Sequence, residues 1–136
     1  MIHFIYFLPV IVFAFLNGYK DGTNTIATAV ASRSLSPRFA LIEAALAEFL
    51  SPIIFGTGVA ETISNGIIKE GVLTDGNGIG IVTAAAVSAI IWNIFTSISG
   101  LPTSSSHAII GGLMGAGFAT GGLNAVLWGN ITMKII

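Results

Sequence analysis

The 136-residue sequence contains no cysteine, which rules out disulfide frameworks, thiolate metal sites and cysteine nucleophiles. Charge is scarce. Asp, Glu, Lys and Arg together make up 8% of the residues, against about 25% in an ordinary soluble domain. The five Lys and Arg residues are scattered, so there is no basic stripe of the kind a nucleic-acid partner needs. The first sixteen residues lack both a basic n-region and a small-residue cleavage site, so they are read as the start of a membrane helix rather than a secretory signal.

What is there is apolar. The hydrophobic fraction is 54% and the mean hydropathy +0.92, the composition of an integral membrane chain. A spanning helix needs about 20 apolar residues, so the length leaves room for roughly four or five spans or half-spans within a single transmembrane domain, residues 1–136.

Residues 3–16 predict an apolar helix, which meets the polar island Asn17-Gly18-Tyr19-Lys20-Asp21-Gly22-Thr23-Asn24 before the chain turns apolar again from Ile26 to Ser32. Gly18 and Gly22 each cost a continuous helix about 1 kcal/mol relative to Ala, which predicts a break in this first helix. Such a break has to face protein or a water-filled cavity, because lipid does not satisfy open backbone groups. Arg33 and Arg38 flank a short turn, Ser34-Leu35-Ser36-Pro37, and mark it as a cytoplasmic loop, with the N-terminus outside if residues 3–32 cross once.

Phe39 to about Ile63 carries Glu43, Glu48 and Glu61 among small and apolar residues and is expected to form a buried helix. Ser64 to Gly80 reads as a glycine-rich extramembrane loop, and Ile81–Ile98 as a further span with Trp92 and Asn93 late in it. The second polar island follows, Gly100-Leu101-Pro102-Thr103-Ser104-Ser105-Ser106-His107. Ala108 to Ala119 is too short to cross a hydrocarbon core, which points to a re-entrant hairpin. Leu123 to Ile136 is expected to begin another amphipathic or spanning helix, and its unfinished apolar run reads as a truncation.

Two islands in apolar surroundings carry the chemistry. A charge at bilayer depth costs upward of about 2.5 kcal/mol, which makes Asp21 a site residue by default. Asn24, three residues on, shares its helix face, and carboxylate and amide oxygens suit a hard cation while Asp also exchanges a proton. The competing explanation is an ordinary pair with Lys20, whose ammonium snorkels to water. Ser104, Ser105 and Ser106 stand before a helix, where hydroxyls, exposed amides and the positive dipole end suit a phosphate or sulfate; plain helix capping is the alternative.

His107 is a supporting donor or a packing residue, with no second ligand at metal spacing. Glu43 and Glu48 do not share a face well enough to hold a metal, and Glu48, deeper in its segment, is the better candidate for a buried supporting role. The glycine run 111–117 lacks the Lys-Ser/Thr ending of a phosphate loop, and Ser105 with His107 has no third partner for hydrolysis, so no enzyme is expected.

Taken together, Asn17-Gly18-Tyr19-Lys20-Asp21-Gly22-Thr23-Asn24 and Gly100-Leu101-Pro102-Thr103-Ser104-Ser105-Ser106-His107 resemble the inorganic phosphate transporter (Pit) family in order and spacing. The family's acidic pattern, N-G-x-x-D-x-x-N in many bacterial members, is kept by Asn17, Gly18, Asp21 and Asn24. Lys20 stands where many members place Asn or His. The second pattern, G-[LI]-P-x-S-[ST]-[ST]-H, is matched throughout.

The resemblance implies an all-α fold of polytopic membrane helices, with the broken first helix and the re-entrant hairpin as one half of an inverted-repeat transporter. It implies a symporter in the plasma (inner) membrane that moves inorganic phosphate, free or as a metal-phosphate complex, on a Na⁺ or H⁺ gradient by alternating access. Phosphate would then meet Asp21, Asn24, Ser104, Ser105 and Ser106, and the coupling ion Asp21, Asn24 and Asn93, with Lys20, Glu48 and His107 in support. No resident cofactor is expected. Each motif occurs once, so a second repeat in a longer chain or a second half-size chain is the expected partner. A non-transporting packing subunit and a channel-like pore are the rival readings.

Overall fold

The structure is a computed structural model that describes residues 2–56, 66–69, 71–72 and 76–130. The architecture is all-α: α1 (Ile2–Ala31), α2 (Pro37–Phe55), α3 (Gly78–Ile98) and α4 (Ser105–Gly121), followed by a 3-10 turn at Leu123–Ala125. The chain divides into two compact units, residues 1–14 with 59–136, and residues 15–58. By length and apolarity, α1 from Phe4 to Ala31 and α3 are long enough to cross a bilayer.

The first helix is not broken. α1 runs through Gly18 and Gly22 without interruption. Two glycines cost the helix about 2 kcal/mol in all, less than opening a stretch of its hydrogen-bond ladder where no water replaces the lost bonds. The hydroxyls of Thr23 and Thr25 donate back to the carbonyls of Lys20 and Asp21, each at 3.0 Å, so these polar side chains are satisfied within the helix and need no break in it.

In the unit formed by residues 15–58, α1 ends on a Schellman turn. Arg33 N–H donates to Val30 O at 3.0 Å and Ser34 N–H to Ala29 O at 3.1 Å, with Arg33 itself in the left-handed region at φ 58°. Ser36 then caps α2, its hydroxyl accepting from Phe39 N–H at 3.4 Å, and Pro37 takes the first helical position. The buried helix expected from Phe39 to Ile63 is corrected in two respects: it ends at Phe55, and Ala40 is its one buried residue among those described. Apolar composition tells only that a surface avoids water; lipid meets that need as well as protein does.

In the unit formed by residues 1–14 and 59–136, α3 packs against α4. The contact is closest at Gly112, where a β-carbon would lie 2.5 Å from Ser88 Oγ and 2.7 Å from the Ala85 carbonyl. Ala85, Ala86 and Ala89 supply the matching small surface of α3 and are buried. Thr83 Oγ1 donates to Ile79 O at 2.7 Å and lies 3.2 Å from Tyr6 O, a hydroxyl link from α3 to the first turns of α1.

Two further expectations change in this unit. The polar-looking stretch after Ser64 contributes core residues: Ile67 and Ile68 form a buried cluster with Ile81 of α3, and Val72, Ile110, Leu113, Met114 and Ala116 pack around it. Ile68 pairs with Val126 in an antiparallel bridge, with Lys69 N–H donating to Ala125 O at 3.0 Å and Leu127 N–H to Ile67 O at 2.9 Å. The β-branched Ile68 fits there because Gly117 leaves its side chain room, at 3.3 Å from where a β-carbon would stand. The helix expected from Leu123 begins later: Leu123–Ala125 make the 3-10 turn and Val126 the bridge, the chain is helical again at Trp128, Gly129 and Asn130, and residues 131–136 lie outside the described chain.

Candidate functional site

The second polar island is a helix-to-helix corner. α3 ends at Ile98, and the chain closes it with a Schellman pair in which Gly100 N–H donates to Ser97 O at 3.4 Å and Leu101 N–H to Thr96 O at 2.9 Å. The left-handed φ of 66° at Gly100 is the conformation that this closure needs and that glycine adopts without a side-chain clash. Pro102 then keeps the chain from continuing as helix, and Ser104 caps α4, its hydroxyl accepting from His107 N–H at 3.4 Å.

The serine triplet is therefore not a loop ahead of the helix. Ser104 is the cap, and Ser105, Ser106 and His107 form the first turn of α4, which makes this helix longer than the Ala108–Ala119 segment read from the sequence. Of the triplet, Ser105 is buried, at 4% exposure, while Ser104, Ser106 and His107 are exposed. The arrangement puts two hydroxyls and the positive end of a 17-residue helix at one exposed corner, which suits an anion.

Behind the corner lies a polar cluster in the apolar wall of α3. Asn93 is buried, and Thr96 is fully so, at 0% exposure. Thr96 Oγ1 lies 2.9 Å from Trp92 O, 3.1 Å from Asn93 O and 3.1 Å from the hydroxyl of Thr103, while Ser97 donates to Asn93 O at 2.7 Å. Thr96 and Thr103 were not singled out in the sequence. The available signal was two hydroxyls flanking the Gly-Leu-Pro turn, one at the polar end of an apolar helix. A cleft of about 470 Å³ opens nearby, lined by Ala84, Ser88, Trp92, Ala108, Gly111, Gly112, Gly115 and Ala116, with Trp92 tilted against Phe95 at a ring separation of 6.0 Å.

The acidic island sits in the unit of residues 15–58. Lys20 and Asp21 are half-buried on α1, Asn24 is exposed one turn on, and Glu48 is exposed on α2. Asp21 and Asn24, three apart on an intact helix, share a face as their spacing predicts. Exposure of Glu48 differs from the deeper, buried position expected for it, since α2 has no protein cover on that side among the described residues. Of the residues read as site candidates, Asn93, Ser104, Ser105, Ser106 and His107 thus belong to one unit and Lys20, Asp21, Asn24 and Glu48 to the other.

Known proteins give this arrangement its context. The sequence profile of the phosphate transporter family matches residues 17–136, both islands included. A probable low-affinity inorganic phosphate transporter of Rhizobium meliloti (strain 1021) is 47% identical over 116 residues, covering 85% of this chain and 34% of the relative. A protein of the same name from Streptomyces halstedii is 46% identical over 126 residues, 93% of this chain and 57% of the relative. The solved structure of a sodium-dependent phosphate transporter superposes on 98% of this chain and 34% of its own length, with a TM-score of 0.88 and 31% identity. The chain thus spans about a third to somewhat over half the length of these relatives, which are named as transporters and not as enzymes. With the profile running through both polar islands and most of the chain, the protein belongs to the phosphate transporter family.

Proposed function

We propose that these 136 residues form one repeat of a plasma-membrane symporter that carries inorganic phosphate on a sodium gradient by alternating access. The observation that carries this is the likeness of 98% of the chain to a sodium-dependent phosphate transporter, at a TM-score of 0.88. Sodium is preferred over protons on the name of that neighbour and on the oxygen chemistry of Asp21 and Asn24, which suits a hard cation. The partner is a second repeat, because one copy of each island supplies about half of a midplane site in an inverted-repeat transporter.

In this reading the α4 corner takes the anion. Ser104 and Ser106 offer hydroxyls from the exposed first turn, and the amides there point along the helix dipole toward negative charge. Ser105, buried beside them, supports that turn from within. Asp21 supplies the charge that makes cation binding pay for bringing an anion into the membrane, with Asn24 beside it and Asn93 as a further oxygen donor. Lys20, half-buried, brings a positive charge and His107, exposed, a ring N–H donor that assist the anion, and the α3–α4 pair forms the re-entrant hairpin.

α1 gives the acidic island a depth. At 1.5 Å per residue its 30 residues measure about 45 Å, and Asp21 lies about 7 Å from their midpoint, inside a hydrocarbon core about 30 Å thick for a span centred on the bilayer. A carboxylate there is retained only where an ion or a partner compensates it. Replacement of Asp21 by Asn is expected to abolish sodium-dependent phosphate uptake in the complete transporter while membrane insertion stays intact. Uptake at the wild-type level would remove Asp21 from the mechanism, and saturation with phosphate together with dependence on the sodium gradient separates a symporter from a pore.

A further inference from the structure

The geometry points to Thr96 as a positioning residue for the phosphate corner, acting through Thr103. The inference rests on the reading of Ser104–Ser106 as the anion-binding turn and identifies what holds that turn in place.

Thr96 grips the corner twice. Its backbone carbonyl accepts from Leu101 N–H at 2.9 Å, and its hydroxyl meets the hydroxyl of Thr103 at 3.1 Å. These two bonds bracket Leu101-Pro102-Thr103, the segment that leads directly into the Ser104 cap. Pro102 restricts its own φ, so fixing the chain on both sides of it leaves little freedom in how α4 begins. With the turn tied to α3 at residues 101 and 103, the direction of the first α4 amides follows from the position of Thr96.

The hydrogen bonds also have a forced direction. A threonine hydroxyl has one hydrogen, and the carbonyls of Trp92 and Asn93 only accept. Thr96 therefore spends its proton on the carbonyls of its own helix, and Thr103 donates to Thr96. The proton of Thr103 is thereby committed to α3, and anion binding falls to the hydroxyls and amides that follow it. At full burial, a methyl in place of the Thr96 hydroxyl keeps the packing and removes the receiver of the Thr103 proton.

The test uses the complete transport-competent protein in proteoliposomes, with Thr96→Val, Thr96→Ser, Thr103→Val and the Val/Val double variant. Wild-type saturable uptake of phosphate is the control for the underlying reading; its absence overturns that reading whatever the variants do. Given wild-type transport, Thr96→Val is expected to raise the KM for phosphate about 5-fold, the loss of one hydrogen bond, with the maximal rate per folded protein nearly kept. Thr96→Ser should return KM to within about twofold of wild type, since it restores the hydroxyl. The double variant should resemble either single one, because both remove the same bond. A purely structural threonine would instead lower the amount of folded protein and leave KM unchanged in the fraction that folds, and that result overturns the inference. So would additive effects of the two valines.

Discussion

At the scale of the residue, Gly112 decides how closely α3 and α4 approach. A β-carbon there would stand 2.5 Å from Ser88 Oγ, 2.7 Å from the Ala85 carbonyl and 3.0 Å from the Ala85 α-carbon. The serine can turn away, since its hydroxyl end is mobile, but the backbone of Ala85 cannot. Gly115, one turn further along α4, has nothing within 4 Å of its own β-position. Gly112→Ala is therefore expected to destabilise the protein by about 1–3 kcal/mol, the usual cost of overpacking, and Gly115→Ala by less than about 1 kcal/mol. Thermal unfolding in detergent compares the two, and equal melting temperatures would contradict the close packing at Gly112. Glycine content alone did not separate these positions in the sequence. The difference depends on which face of α4 meets α3, and α4 is too uniformly apolar and small for periodicity to reveal its buried side.

At the scale of the element, the turns after α1 and α3 are built alike, although one has arginine where the other has glycine. Arg33 and Gly100 both occupy the left-handed position of a Schellman closure, at φ 58° and 66°, and a serine cap starts the next helix in each case. An L-residue pays about 1 kcal/mol or more for that conformation, whereas glycine does not. Gly100→Ala should accordingly lower stability by about 1 kcal/mol, and Arg33→Gly should raise it by up to about the same amount. Chemical unfolding of the detergent-solubilised variants reads both, and opposite signs are the decisive result.

The helix ends were largely legible. Ser36-Pro37 and Gly100-Leu101-Pro102 are local signals whose physics is local. The continuity of α1 was not legible, because a glycine's cost is small and the gain of an unbroken ladder depends on the medium around it. Ile67 and Ile68 were hidden for a related reason, since their burial depends on distant partners, for Ile68 on the space left by Gly117 about fifty residues away on α4. Of the candidate site residues, Asp21 and the serine triplet stood out as polar groups in apolar runs, whereas the Thr96–Thr103 pair becomes visible only once a turn folds the two hydroxyls together.

At the scale of the whole molecule, the exposed side chains call for lipid or further protein. Phe15, Phe49 and Phe55 are 70% or more exposed, and Phe4, Ile5, Phe7, Leu8 and Ile11 crowd the first turns of α1. Each large apolar side chain gains about 1.5–3 kcal/mol on leaving water, so α1 and α2 together favour a membrane by tens of kcal/mol. Orientation then follows from where the few charges stand. Arg33 lies in the turn after α1 and Arg38 in the first turn of α2, both exposed, while residues 99–104 between α3 and α4 contain no Lys or Arg. Basic residues close to the ends of spans stay on the cytoplasmic side, so the α1–α2 turn should face the cytoplasm. These 136 residues contain no cysteine, so Ser34→Cys places one thiol in this chain, in an exposed turn, and the unsubstituted protein is the labelling control. In intact cells that thiol is expected to react with a membrane-permeant maleimide and to be shielded from an impermeant one until the membrane is opened. Labelling by the impermeant reagent in sealed cells would place the turn outside and invert the orientation of α1.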